Sequence, residues 1–176
     1  MYKKEEWWLK MWKAVEKKFE HYPAQMKVAT KMINLGLRID ESGKIYCSDL
    51  KIGYKALAEA TEVDRRAIKS TINTIINDEE LSLIFKNIEP AGSSLKKIAK
   101  NIGLSAIEIV VGSESEGILS KIADLFVKKG INIRQAYAKD DRLSNPTLTI
   151  IADGKVPSEI LDDILKIEGV LRLLIY

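Results

Sequence analysis

Ala106-Ile107-Glu108-Ile109-Val110-Val111-Gly112-Ser113-Glu114-Ser115-Glu116-Gly117-Ile118-Leu119 opens the stretch that decides the fold of this chain. Ile107, Ile109 and Val111 alternate with Glu108 and Val110, which is the two-residue period of a half-buried strand. The polar run Gly112 to Gly117 is a turn. Ile118, Leu119, Ile122, Ala123 and Phe126 then fall on one helix face. Lys128 and Lys129 suit the negative end of that helix, and Gly130 closes it. Ile131 to Lys139 reads as a second strand, Asp140 to Pro146 as a hairpin loop and Thr147 to Ala152 as a third strand. Pro157 and Ser158 open a second helix with Ile160, Leu161, Ile164 and Leu165 on its inner face. Gly169 ends it, and Val170 to Tyr176 is the last strand. The predicted order is βαββαβ, a small sheet with both helices on one face.

Upstream, Gly53 to Asn77 reads as helix, tight turn, helix. Leu57 and Ala58 lie on the inner face of the first helix, and Val63 plugs the gap between the two. Asp64 is suited to cap the second helix, because its carboxylate accepts an orphan backbone N–H. Ile68, Ile72, Ile75 and Ile76 repeat as a core stripe, which leaves Arg66, Lys69, Ser70, Asn73 and Asn77 facing outward, with Arg65 in the first turn. This skeleton resembles a helix-turn-helix of the winged or tri-helical kind. Such a motif lays its second helix in the major groove, where Arg and Lys meet guanine edges or phosphates and Asn meets adenine. Candidate DNA contacts are therefore Arg65, Arg66, Lys69, Ser70 and Asn73. Glu62 stands where that turn often carries glycine, so it must reach a left-handed backbone at some cost. A solvated helical hairpin has the same spacing.

Further out, Lys4 to Phe19 is a helix with Trp8, Trp12, Val15 and Phe19 on one face, and Pro23 separates it from a second helix at Ala24 to Leu37. The aromatic face fits packing within the protein or against a second subunit; Glu5, Glu6, Glu16 and Glu20 weaken a membrane-surface reading. Asp40, Glu41, Ser42 and Gly43 form a turn before a short strand at Ile45 to Cys47. Leu81 to Ile88 alternates and reads as a wing strand or packing strand. After Pro90-Ala91-Gly92, Ser93 or Ser94 caps a connector helix with Leu95, Ile98, Ala99 and Ile102 inside, ending at Gly103.

Composition bounds the function. With 176 residues, 30% of them charged, the chain suits one domain or two small ones. No apolar run approaches the ~20 residues of a membrane span, and the N-terminus has no signal-peptide pattern. We expect a cytoplasmic protein without a membrane partner. One cysteine, Cys47, excludes an internal disulfide framework, and one histidine, His21, excludes a His-rich metal site. There is no phosphate loop followed by Lys, no CxxC and no nucleophile motif, so neither enzyme activity nor a cofactor is expected. Residues 1–103 carry 19 Lys/Arg against 14 Asp/Glu, and residues 104–176 carry 9 against 11. A mildly basic front half leaves room for nucleic acid.

The order βαββαβ, the glycine opening the first helix, and Gly130-Ile131-Asn132-Ile133 at the second strand together resemble an ACT domain. The chain as a whole is similar to archaeal predicted regulators of amino-acid metabolism that contain one. Phe85-Lys86-Asn87-Ile88-Glu89-Pro90-Ala91-Gly92 and Asn132-Ile133-Arg134-Gln135-Ala136 strengthen the likeness. The resemblance implies an α+β protein: a helix-turn-helix-like domain at 1–92, a connector helix at 93–103, and a ferredoxin-like ACT domain at 104–176. It implies pairing through the sheets as a homodimer or higher assembly, with a free amino acid as effector bound at the subunit boundary. Its turn pattern is acidic residue, any residue, proline, glycine; Glu114 and Gly117 match, and Glu116 replaces the proline. The implied ligand site is Glu114, Ser115, Glu116, Gly117, Ile118, Asn132 and Ile133. Helix amides near Gly117 would hold a carboxylate and Glu114 an α-amino group, while Glu116 adds a negative charge beside the carboxylate. The resulting expectation is an amino-acid-responsive transcription regulator that binds double-stranded DNA. The alternative is a regulatory subunit that docks on a biosynthetic enzyme and ignores DNA.

Overall fold

The computed structural model describes residues 7–113, 115–139 and 145–176, with the backbone alone for residues 7–10. The chain separates into two compact units, Met1–Gly92 and Ser93–Tyr176.

In the first unit, helix α1 (Trp7–Phe19) and helix α2 (Pro23–Leu35) precede a three-stranded antiparallel meander of β1 (Leu37–Ile39), β2 (Ile45–Cys47) and β3 (Leu50–Ile52). Helices α3 (Tyr54–Thr61), α4 (Arg65–Ile76) and α5 (Glu79–Asn87) follow. Of the expected α1 face, Trp12, Val15 and Phe19 are buried; Lys4 to Glu6 and the Trp8 side chain fall outside the description. Val15 and Phe19 join Val28, Ala29, Met32, Leu57, Ile68, Ile72, Ile75, Leu81 and Phe85 in one core. Burying a side chain such as Phe85 or Ile72 contributes about 1.5–3 kcal/mol.

Two expectations fail here. Helix α2 stops at Leu35, because Gly36 takes the left-handed conformation (φ 62°) and turns the chain into β1, which begins at Leu37. A Cβ at Gly36 would also lie 2.4 Å from the Pro90 nitrogen, so only glycine fits. Leu81 to Ile88 is not a wing strand: α5 covers it, with Leu81, Ser82 and Phe85 buried and Leu83 69% exposed. Asp78 caps that helix by accepting the Leu81 N–H at 3.0 Å, and Glu79 and Glu80 favour its positive end. The sheet of this unit lies before the helix pair, and the strand expected at Ile45 to Cys47 is its middle strand.

The second unit begins with a turn and a single 3-10 turn, Ala99–Ile102, in place of the expected connector helix. Ala99 is buried, but Ile98 and Ile102 are exposed. Then come β4 (Leu104–Val111), α6 (Ile118–Lys128), β5 (Ile133–Lys139), β6 (Thr147–Asp153), α7 (Ser158–Leu165) and β7 (Val170–Ile175). The sheet is antiparallel throughout, in the order β5-β6-β4-β7. Each helical crossover therefore skips one strand. Ile107, Ile109, Leu148 and Ile150 of the central strands pack with Ile118, Ile122 and Phe126 of α6 and Ile160 and Ile164 of α7. One sheet face is thus covered by both helices. Asp140 to Ser144 of the expected hairpin loop lie outside the described residues. No described helix is long and apolar enough to cross a membrane.

Candidate functional site

The turn between α3 and α4 is three residues long. Glu62 adopts φ 56° and ψ 41°, the left-handed conformation its position requires. The Val63 N–H donates to the Ala58 carbonyl at 3.1 Å, and its side chain packs on the core. Asp64 is extended (φ −76°, ψ 161°) and accepts the Ala67 N–H at 2.8 Å, which fixes the start of α4. Ile68, Thr71, Ile72 and Ile75 bury one side of α4, and Thr71 satisfies its hydroxyl on the Ala67 carbonyl at 2.8 Å. On the opposite side Arg65, Arg66, Lys69, Ser70 and Asn73 are all exposed. Arg66, Lys69 and Asn73 stand three and four residues apart and so share a stripe.

Gln25 was not among the residues that the periodicity singled out. This α2 residue donates its amide to the Ser70 hydroxyl at 3.2 Å and accepts from the Thr74 hydroxyl at 3.4 Å. It fastens the first turn of α2 to the exposed edge of α4 and orients Ser70. Only a tertiary contact between residues 45 positions apart could reveal that role. Asn77 is spent locally, on the Asn73 carbonyl at 2.9 Å.

In the second unit the loop before α6 is folded onto Gly169. The Gly112 N–H and the Ser115 hydroxyl both donate to the Gly169 carbonyl, at 2.9 and 3.3 Å. A Cβ at Gly169 would lie 2.2 Å from the Ser115 oxygen, so Ser115 can close this contact only against glycine. The Ser115 hydroxyl is thereby structural. Gly117 is left-handed (φ 69°, ψ 13°) and enters a helix with no side-chain cap. Successive N–H groups in a left-handed-to-helical pair form a concavity that suits an anion. Ile118 buries its side chain, so only its backbone faces outward. Glu116 is exposed, and Glu114 lies outside the described residues.

Asn132 and Ile133 sit elsewhere. Asn132 gives its carbonyl to the Asp153 N–H at 3.0 Å and its side-chain amide to the Asp153 carboxylate at 3.4 Å. Arg134 grips the same carboxylate through two bonds of 2.5 and 2.6 Å. The Arg134 guanidinium holds the Asp153 carboxyl below its usual range against the opposing effect of burial, with Asn132 adding to the lowering. Asp153 pairs with Leu104 at one end of β4, whereas Gly117 follows Val111 at the other end. Eight residues of strand, about 23 Å, separate those ends. A single copy therefore does not bring Asn132 and Ile133 to the Gly117 turn.

Among the described residues no cluster of His, Cys, Asp and Glu could hold a metal ion. No protein-family model matches the chain, and no curated protein matches it. Among solved structures it is similar to the C-terminal domain of the MgtC protein from Mycobacterium tuberculosis, at 16% identity over 42% of this chain and 84% of that chain, with a TM-score of 0.37. It is similar to the ACT domain from GTP pyrophosphokinase of Chlorobium tepidum, at 21% identity over 42% and 96%, with a TM-score of 0.35. It is also similar to an AsnC family transcriptional regulator from Agrobacterium tumefaciens, at 13% identity over 87% and 86%, with a TM-score of 0.26. Likenesses of this strength carry no functional weight.

Proposed function

We propose that this chain is an amino-acid-responsive regulator that reads DNA through α4 and senses its effector through an ACT-type sheet. The observation that carries the reading is the two-sided character of α4. Its apolar side packs into the core, with Ile68, Ile72 and Ile75 buried and Ile76 partly so, while a row of cationic and amide groups is left in solvent behind a fixed N-cap. In a major groove, Arg65, Arg66 and Lys69 would meet phosphates or guanine edges and Asn73 an adenine edge. The uncapped amides after Gly117 suit the carboxylate of a free amino acid. Asn132 and Ile133 would be contributed by a second copy, since a two-fold axis between paired sheets brings opposite strand ends together. The chain then acts as a homodimer, and the effector sits between copies.

The test has two independent arms. Titration of the whole protein with fragmented genomic DNA at fixed salt is expected to give a specific site above background binding; uniform weak binding would remove the DNA half. Thermal shift against the twenty amino acids is expected to raise the melting temperature for one or a few of them by mass action. No rise with any of them would remove the sensing half.

A further inference from the structure

The segment Ser93–Gly103 lies on the sheet face that α6 and α7 leave open. Ala106 and Ile151 are register partners, and each alternates with a residue that faces the helices. They therefore point the other way, and Ala99 and Leu95 pack against them. Gln135 pairs with Ile151 in register and shares that face. Its side-chain oxygen accepts the Leu95 N–H at 3.1 Å, and its nitrogen donates to the Ser93 carbonyl at 2.8 Å. The amide thus offers the segment the donor and acceptor that a neighbouring strand would offer. One residue on, the Lys96 ammonium pairs with Glu108 and lies 4.1 Å from the centre of the Tyr176 ring. The Tyr176 hydroxyl donates to the same Glu108 at 3.4 Å. Burial opposes the Lys96 charge, but Glu108 and Tyr176 outweigh it and raise the lysine above its ordinary range.

This attachment is punctate. Among the described residues it consists of one amide clamp, one ammonium lock and a small apolar contact, while Ile98 and Ile102 stay about half exposed, at 49% and 53%. Segments with few apolar contacts open locally, at far lower cost than the fold as a whole. We infer that Ser93–Gly103 is a releasable strap, held down by Gln135 and by the Lys96–Glu108–Tyr176 lock, that sets how much free chain joins the two units. Release would add eleven residues, about 36–40 Å of extendable chain. That change alters the effective concentration of one unit near the other's binding partner without altering either fold. The inference stands whether or not the chain binds DNA or an amino acid.

The strap carries its own reporters, because trypsin cuts after Lys97 and Lys100. In the full-length protein, a Gln135→Ala/Glu108→Gln variant is expected to be cut at these two lysines about tenfold faster than wild type, since both anchors are lost. The amides of Ile107 and Ile150 should keep their protection against hydrogen exchange. Equal cleavage rates would overturn the strap. Where the double variant loses sheet protection, Gln135→Ala alone is used, because Gln135 lies on an edge strand. Hydrogen exchange on the wild type gives a second reading. Amides of Leu95 and of residues 99–103 are expected to exchange through a local opening, faster than those of Ile107 and Ile150. Exchange at the same rate as the sheet would overturn the release.

Discussion

Glu62 holds a backbone conformation that costs a residue with a side chain about 1–2 kcal/mol. Its side chain is exposed, so no packing offsets that cost. Glu62→Gly is therefore expected to stabilise the first unit by about 0.5–1 kcal/mol, the relief of strain less the added freedom of the unfolded chain. A denaturant midpoint that rises at constant slope would record it; a lower midpoint would mean that the glutamate makes a contact the backbone conceals. Asp78 is the opposite case. It caps α5 and pairs with Lys18 at 2.9 Å, and the Lys18 bond is the chief reason its carboxyl lies below the ordinary 3.8. A depressed folded value means that the stabilisation is present above the unfolded value and is lost as pH falls through the folded one. Asp78→Ala is expected to cost about 1–2 kcal/mol at neutral pH. The gap to wild type should begin to narrow as pH falls below the ordinary 3.8 and should close only below the depressed folded value. Unfolding curves at neutral and acid pH test this, and a gap that persists in acid would exclude the carboxylate as its source.

At the scale of elements, the sequence was most readable where an apolar period was long. The α4 stripe, the β4 alternation and the α6 and α7 faces run over two turns or several strand residues, and the structure buries most of them. Short elements were poorly readable. Two three-residue strands, β1 and β3, carry too few residues to show a period. Leu81, Leu83 and Phe85 alternate like a strand, yet Leu81 and Phe85 also stand four apart, and the cap at Asp78 decides for a helix. Leu95, Ile98, Ala99 and Ile102 have helical spacing, but Gln135 occupies backbone groups of Ser93 and Leu95 and binds the segment to the sheet instead. Periodicity cannot register a side chain forty residues away. On α4, the exposure of Arg65, Arg66, Lys69, Ser70 and Asn73 was legible because it follows directly from the stripe; the contact made by Gln25 was not. If that row meets phosphates, Arg66→Ala and Lys69→Ala should each weaken binding and reduce the slope of log affinity against log salt by about one. An unchanged slope would assign those residues to base edges or to no DNA contact at all.

For the whole molecule, the boundary at Gly92 changes the charge argument. Counted to residue 103, the front of the chain has a surplus of five positive charges; counted to Gly92, it has 16 Lys/Arg against 14 Asp/Glu, and the second unit has 12 against 11. Lys96, Lys97 and Lys100 belong to the strap, so net charge no longer favours one unit as the nucleic-acid partner. The local row on α4 has to carry that reading. The sheet imposes a second whole-molecule constraint. Gly117 and Asn132 lie at opposite strand ends, so an amino-acid site that uses both must be shared between copies. Sharing predicts complementation. Gly117→Val blocks the left-handed entry to α6, and Asn132→Pro removes a backbone donor. Each homodimer should then fail to bind the amino acid found by thermal shift. A two-fold dimer that mixes the variants places both defects in one site and leaves the other intact. After equal amounts are unfolded and refolded together, half the dimers are mixed and about a quarter of the wild-type binding capacity should return, with unchanged affinity. Calorimetric titration measures both quantities. A site built within one copy would recover nothing on mixing, so zero capacity from a mixture whose mixed dimers are demonstrated by mass would refute the shared pocket.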